Sequence, residues 1–132
     1  MRISTLLNYA NDPKESAKQA KALESAGVDM IWVPEAYGFD AVSLLGYLAA
    51  ETETVGLGSG ILNTYSRTPA ALAQTAASLD SLSGGRFTLG LGASGPQVIE
   101  GFHGIPYSMP LTRLREVMEI CRMAWKREPL IY

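Results

Sequence analysis

The sequence predicts an α/β fold in which helices cover a parallel β-sheet. Strand patterns alternate with helix patterns four times along the 132 residues, and the predicted strands begin at fairly even spacing. Such alternation is typical of parallel sheets. Two architectures fit: a doubly wound open sheet, or part of an eight-stranded barrel. A complete barrel needs roughly 250 residues, so four units form about half of one, and we expect residues 1–132 to be a single partial-barrel domain of a longer chain.

The first two strand–helix units are marked by their turn residues. The first strand is predicted over residues 2–7, and its helix begins at Asp12-Pro13, since aspartate caps free amides and proline suits the first helical position. Gly27 provides a left-handed stop after that helix. The second strand covers residues 28–33 and ends at Pro34. The next helix carries an apolar side made of Leu44, Leu45, Leu48 and Ala49.

The third and fourth units follow the same rules. The third strand is predicted over residues 54–59, and its helix begins at Thr68-Pro69 and ends near Gly84-Gly85. The fourth strand covers residues 86–91. After a longer loop, Pro110 begins a helix that is predicted to bury one face, formed by Leu111, Leu114, Met118, Cys121 and Trp125.

Composition excludes several classes of function. The formal net charge is −2, so a basic nucleic-acid-binding surface is not expected. Cys121 is the only cysteine, which makes an internal disulfide impossible and argues against a cysteine-based metal site. The N-terminal apolar stretch is too short for a signal peptide, and no apolar run approaches the ~20 residues of a membrane span. We therefore expect a cytoplasmic protein with no metal, membrane or nucleic-acid partner.

Four loops are predicted to converge on one rim of the sheet, because the carboxyl ends of parallel strands lie at the same edge. In parallel α/β folds the functional residues collect in these loops. The first loop begins at Asn8, and the other three cover residues 34–37, 60–67 and 92–97. They are rich in glycine, amide and hydroxyl groups and poor in acid–base groups. One histidine and no nucleophile-elbow sequence exclude a Ser-His-Asp set. Such a rim suits a cofactor that supplies the reactivity itself.

Residues 90–95, Gly-Leu-Gly-Ala-Ser-Gly, match the G-x-G-x-x-G spacing. A nicotinamide dinucleotide site would need a helix directly behind Gly95 to hold the pyrophosphate. The glycine- and proline-rich residues 101–106 soon interrupt any helix that Pro96 begins, and the motif follows the fourth strand instead of the first. The remaining interpretations are a close backbone approach to a flat ring or substrate, and a plain tight turn.

Three polar residues in these loops each allow two interpretations. Glu35 is predicted either to bond a cofactor or act as an acid–base group, or to be a solvated loop carboxylate. His103, the single histidine, either bonds to backbone or takes part in catalysis. Arg67 either forms a surface salt bridge or binds an anionic group.

Four segments, taken in order, resemble the luciferase-like monooxygenase superfamily. They are VDMIWVPE at residues 28–35, GSGILN at 58–63, GGRFTLGLG at 84–92 and GPQVIEGFHG at 95–104. The last segment resembles the branch of coenzyme F-420-dependent oxidoreductases. The resemblance spans essentially the whole chain and implies the N-terminal half of a (β/α)8 (TIM) barrel.

The resemblance also implies an activity and a site. It implies hydride transfer between a deazaflavin, coenzyme F-420, and a small organic substrate; the alternatives are an FMN-dependent monooxygenase and a catalytically incomplete half-barrel. It implies a cis peptide in a bulge at Gly60-Ile61 that backs one face of the ring. The positions that it places around the ring are Ser59, Gly60, Ile61, Asn63, Gly92, Ala93, Ser94 and Gly95.

Two departures limit what the resemblance carries over. Glu35 matches a position that is often acidic in the deazaflavin enzymes, but Ala36 stands where some relatives place a histidine. Gly95 stands where sugar-phosphate-oxidising relatives have a glutamate, so their mechanism is not transferred.

A half-barrel also leaves strand edges and apolar side chains uncovered, which predicts a homo-oligomer, most simply a dimer.

Overall fold

The computed structural model describes residues 1–8, 12–127 and 129–132. The first predicted rim loop, which begins at Asn8, therefore lies partly outside the described residues. Glu128 lies outside them as well.

Among the described residues, the main sheet has four parallel strands. They are β1 (Ser4–Leu6), β2 (Met30–Val33), β3 (Gly56–Ser59) and β5 (Phe87–Thr88), hydrogen-bonded in the order β1-β2-β3-β5. Two further strands, β4 (Leu62–Asn63) and β6 (Leu91–Gly92), form a separate parallel pair. The order is sequential with no reversal, which is the order of half a barrel and not of a doubly wound sheet. The barrel prediction is confirmed and the open-sheet alternative is wrong.

The described part of the chain contains five helices. They are α1 (Pro13–Ser25), α2 (Ala41–Glu51), α3 (Pro69–Leu82), α4 (Pro96–Ile99) and α5 (Pro110–Trp125). Each of them follows a strand or strand pair except α5, which follows α4. In the part of the chain that the structure describes, no helix has the length and apolar character needed to cross a membrane.

Side-chain caps fix the starts of the three helices that cover the sheet. Asp12 accepts a hydrogen bond from Lys14 N at 2.8 Å, and the predicted Thr68 cap accepts one from Ala71 N at 3.2 Å. Asp40 caps α2 in the same way, accepting from Ser43 N at 2.9 Å. Gly27 follows α1 with a φ of +81°, as expected for a left-handed stop.

The core lies between the sheet and the covering helices. Ile31, Val33 and Leu57 point from β2 and β3 toward the helices, where Leu45 and Leu48 of α2 meet them. All five side chains are inaccessible to solvent or nearly so. Their burial anchors the strands whose carboxyl ends carry the rim loops.

The opposite face of the sheet, which would be the barrel interior, is open. Leu6 on this face is 63% exposed. Trp32 covers Gly58 closely, since a Cβ atom on Gly58 would lie 2.4 Å from the indole ring. Glycine is therefore required at position 58 for the indole to lie against β3.

Arg86 ties the helices together at the end of the sheet away from the rim. Its guanidinium group donates to Ala49 O, Thr52 O and Val55 O at 2.7–3.1 Å, and its Nε donates to Ser83 O at 2.6 Å. Ala49, Thr52 and Ser83 lie at the ends of α2 and α3, where backbone carbonyls lack helical partners, and Val55 directly precedes β3.

Two predictions about elements need correction. The fourth strand is not continuous over residues 86–91 but divides into β5 and β6, and the other strands are two or three residues shorter than predicted. The buried face of α5 is also only partly the predicted one. Cys121 is buried as predicted, and Val117 is buried with it on the helix that packs against α3. Leu114 is only partly buried, and Leu111, Met118 and Trp125 stay exposed.

Candidate functional site

The carboxyl ends of the strands form one rim, as predicted for a parallel sheet. Between β3 and β4 the backbone bulges at Gly60 and Ile61, and the peptide bond that joins them is cis. Gly60 N donates to Val33 O at 2.8 Å, and Leu62 N donates to Gly90 O at 2.9 Å. The bulge is thus fastened to β2 on one side and to the loop after β5 on the other.

The side chain of Ser59 supports this bulge through two hydrogen bonds to Gly90. Its hydroxyl oxygen accepts a hydrogen bond from Gly90 N and the hydroxyl donates one to Gly90 O, each at 2.9 Å. Ser59 is fully buried. Ser59, a predicted ring-pocket residue, therefore uses its side chain to bond the backbone of Gly90 beside the pocket.

Gly60, Ile61 and Gly92 pack closely around the bulge. A Cβ atom on Gly60 would lie 3.1 Å from Trp32 Cβ and 3.6 Å from Leu6 Cδ2. A Cβ on Gly92 would lie 3.0 Å from Ile61 Cγ1. Neither glycine leaves room for a larger side chain without movement of its neighbour.

Asn63 follows the bulge and is also buried. Its amide oxygen accepts from Tyr65 N at 3.0 Å and from Ser66 N at 2.8 Å, which closes the turn that leads to α3. The turn thus uses the oxygen, which leaves the amide nitrogen as the polar group of Asn63 that a ligand can use.

The loop after β6 carries Ala93, Ser94 and Gly95. Ser94 has a φ of +57°, in the left-handed region. Gly95 precedes α4, which is only four residues long before the turn at 101–103. The expected interruption of the helix is confirmed, and this short helix does not suit the nicotinamide interpretation of the glycine motif.

Glu35 is not a solvated loop carboxylate. Its Oε1 accepts from Arg67 Nη1 at 2.6 Å and its Oε2 accepts from Arg67 Nη2 at 2.8 Å, while the Oε2 also accepts from Ala41 N at 2.8 Å. The side chains of Glu35 and Arg67 are 9% and 20% exposed. Hydrogen bonding to Glu35 raises the pKa of Arg67 above its usual range. The pair joins the loop after β2, the start of α2 and the loop before α3.

A cleft of 260 Å³ opens beside this ion pair, lined by Glu35, Ala36, Gly38, Asp40, Ser66, Arg67, Phe102 and His103. Burial by itself would raise the pKa of Asp40, but hydrogen bonds from Ser43 and the charge of Arg67 outweigh it and lower that pKa. Arg67 is engaged by Glu35, so the cleft retains an excess of negative charge from Asp40.

His103 lies in the same cleft as Glu35. Its ring contacts Phe102 edge-on, with 5.1 Å between centroids. Its Nε2 atom is shielded from solvent and has no hydrogen-bond partner in the described part of the chain. The predicted bond to backbone is therefore not made at this atom.

The predicted residues thus fall into two neighbouring groups. One surrounds the bulge and comprises Ser59, Gly60, Ile61, Asn63, Gly92, Ala93, Ser94 and Gly95; the other lines the cleft and includes Glu35 and His103. Within residues 1–8, 12–127 and 129–132, no group of three or more His, Cys, Asp or Glu residues could hold a metal ion.

Sequence reasoning missed the residues that support these groups from other elements. Trp32 lies against Gly58 and beside Gly60, and the hydroxyl of Tyr107 donates to Ser94 O at 3.2 Å. The alternation of inward and outward residues along β2 was the signal that could have placed Trp32 on the barrel-interior face. No local signal marks Tyr107, because its partner Ser94 lies 13 residues away, on the other side of α4.

Comparison of the sequence with known proteins identifies relatives. A protein of Mycobacterium tuberculosis, provisionally named a coenzyme F-420-dependent oxidoreductase, is 43% identical over 130 residues, which cover 97% of this chain and 38% of the relative. The 5,10-methylenetetrahydromethanopterin reductase of Archaeoglobus fulgidus is 36% identical over 113 residues, covering 85% of this chain and 34% of the reductase.

A solved structure has the same fold. The coenzyme F-420-dependent tetrahydromethanopterin reductase of Methanopyrus kandleri superposes with a TM-score of 0.87 at 27% identity, over 100% of this chain and 42% of the reductase. The chain therefore spans less than half the length of these relatives. The sequence model of the luciferase-like monooxygenase family matches residues 1–132. The chain belongs to the luciferase-like monooxygenase family.

Proposed function

We propose that the chain forms the coenzyme-binding rim of an oxidoreductase that passes hydride between coenzyme F-420 and a small organic substrate. The observation that carries the proposal is the bulge at Gly60-Ile61, enclosed by Asn63 and by the loop after β6. The 43% identity to the mycobacterial relative, which is named for this coenzyme, supports the choice of a deazaflavin.

The residues around the bulge fit a flat, neutral ring. None of the side chains of Ile61, Asn63, Ala93 and Ser94 is charged, and Gly60 and Gly92 bring the backbone close. Ile61 would present an apolar surface to the ring, and the amide nitrogen of Asn63 would donate to a ring acceptor. The bound deazaflavin supplies hydride chemistry, while this rim binds and orients it.

The substrate is proposed to bind in the cleft that Glu35 and His103 line. Exposed aromatic side chains of Tyr37 and Phe102 contact each other edge-on at the mouth, with 5.7 Å between centroids. Exposed aromatics beside a cleft are typical of ligand-binding sites. Glu35 stays our candidate acid–base group, and its bonds to Arg67 and to Ala41 N fix its position beside the cleft.

Titration of the full-length protein with coenzyme F-420 and, separately, with FMN tests the proposal. Quenching of cofactor fluorescence reports binding. We expect saturable binding of coenzyme F-420, with FMN bound at least tenfold more weakly. Tighter binding of FMN would favour the flavin-dependent monooxygenase, and binding of neither would contradict both functions.

We also propose a cytoplasmic location and a dimeric state. Cys121, the single cysteine of the sequence, is a buried free thiol, as is typical of proteins from reducing compartments. The open apolar face of the sheet supports association with further protein surface.

A further inference from the structure

Ser94 adopts a backbone conformation that its own residue type disfavours. Its φ of +57° lies in the left-handed region, where Cβ crowds the backbone of L-residues. Glycine stands at the end of β6, at Gly92, and in the loop at Gly95, but not at position 94. Contacts from outside the loop are therefore needed to offset this preference.

The hydroxyl group of Tyr107 makes such a contact, donating to Ser94 O at 3.2 Å. Two interactions fix Tyr107 itself. Its backbone N–H donates to Glu100 Oε1 at 2.9 Å, and its ring stacks on Tyr65 with 5.3 Å between centroids and 28° between planes.

Tyr65 connects this stack to the other side of the ring pocket. Its hydroxyl donates to Ser108 O at 2.7 Å, and its backbone N–H donates to the amide oxygen of Asn63. The guanidinium group of Arg113 lies 4.5 Å from the centroid of the Tyr65 ring, and Arg113 Nε donates to Thr64 O at 2.9 Å. A continuous set of contacts thus runs from Asn63 to Ser94 through two stacked tyrosines.

We propose that Tyr107 is a positioning residue, whose hydroxyl holds Ser94 in its left-handed conformation and so sets the shape of the loop that closes the ring pocket. The inference rests on the proposed function, because it takes this pocket to be the coenzyme site. It adds a residue outside the pocket that acts on cofactor affinity through Ser94.

Tyr107→Phe tests the hydroxyl while it keeps the aromatic stack on Tyr65. The amides of Val98 and Ile99 donate to Gly95 O at 3.1 and 3.0 Å and report on the loop by hydrogen exchange in the cofactor-free, full-length protein. We expect these amides to exchange about three- to tenfold faster, and the Kd for coenzyme F-420 to rise by a similar factor, as for loss of one hydrogen bond. Tyr47→Phe, on the exposed side of α2, is the matched control and should change neither quantity.

The same Tyr107→Phe change, made in the Ser94→Gly variant, tests whether Tyr107 acts through the backbone conformation of Ser94 or stabilises the loop in general. Glycine adopts a φ of +57° without steric cost, so in the Ser94→Gly background the Tyr107→Phe change should alter exchange and Kd by less than twofold. Equal effects in both backgrounds, or parent-like exchange in Tyr107→Phe, would overturn the inference. Faster exchange with unchanged Kd would also overturn it. A parent protein that binds no coenzyme F-420 contradicts the proposed function instead, and the exchange rates in the two backgrounds then decide whether Tyr107 holds Ser94.

Discussion

The hydroxyl group of Ser59 bonds both polar backbone groups of Gly90, accepting from its N–H and donating to its carbonyl oxygen at 2.9 Å each. A Cβ atom on Gly90 would lie 2.0 Å from Ser59 O. The fourth strand of the barrel is divided at this contact, and the bulge after β3 rests on it.

Gly90→Ala is expected to destabilise the fold by about 3 kcal/mol, because backbone and not a flexible side chain blocks the new methyl group. Urea unfolding of the full-length protein measures the loss. Gly46→Ala is the control, since a Cβ there meets its nearest neighbour, Leu79, at an ordinary 4.0 Å. Equal stability of the two variants would show that Gly90 and Ser59 are not packed as described.

The Glu35–Arg67 pair is expected to contribute more to stability than an exposed pair. Glu35→Ala leaves a half-buried guanidinium group without its partner and should cost about 3 kcal/mol. Glu15→Ala breaks the pair between Glu15 and Lys18, whose side chains are 61% and 73% exposed, and should cost far less because solvent screens this pair. Thermal unfolding compares the two, and similar losses would argue against the buried pair as a support of the rim.

Acid should weaken the fold through Glu24. Its carboxylate accepts from the backbone N–H groups of Glu53, Thr54 and Val55 at 2.6–2.9 Å. Partial burial alone would raise the pKa of Glu24, but these bonds outweigh it and lower the pKa from 4.5 to about 2.

The folded pKa of Glu24 lies below the unfolded one, so its stabilisation is present above pH 4.5 and is lost as the pH falls toward 2. We expect Glu24→Gln to remove about 1–2 kcal/mol at pH 7, after allowance for solvent screening, and much less at pH 2. Unfolding free energies at several pH values measure this. A variant whose deficit grows toward low pH would contradict the assignment.

Self-association is expected when residues 1–132 are produced alone. β1 and β5 each pair on one side only among the described strands, and Leu6 and Ile3 are exposed on β1 and just before it. Sedimentation velocity should show dimers or larger species. A monodisperse monomer that unfolds cooperatively and binds no hydrophobic dye would overturn this expectation.

Local sequence signals predicted the helix starts well. Asp12-Pro13, Thr68-Pro69 and Pro110 each mark a start, because caps and proline act within a few residues. The resemblance to known proteins, and not residue spacing, predicted the cis bond at Gly60-Ile61, which the structure contains.

Features that depend on distant contacts were not predictable in the same way. The division of the fourth strand depends on Ser59, 31 residues from Gly90. Apolar residues lie on several sides of α5, and packing against α3 decides that Val117 is buried beside the predicted Cys121. Arg67 lies 32 residues from Glu35, and only the convergence of the rim loops indicated that they could meet.

The most direct measurement compares coenzyme F-420 binding by the full-length parent, Gly60→Val and Gly46→Val. A Cβ at Gly60 already lies 3.1 Å from Trp32 Cβ, so a β-branched side chain must displace the bulge. We expect Gly60→Val to raise the Kd for coenzyme F-420 at least tenfold, with the circular dichroism spectrum retained. Gly46→Val, which places its side chain on α2 away from the rim, should bind like the parent. Parent-like affinity in Gly60→Val would show that the bulge is not the platform for the ring.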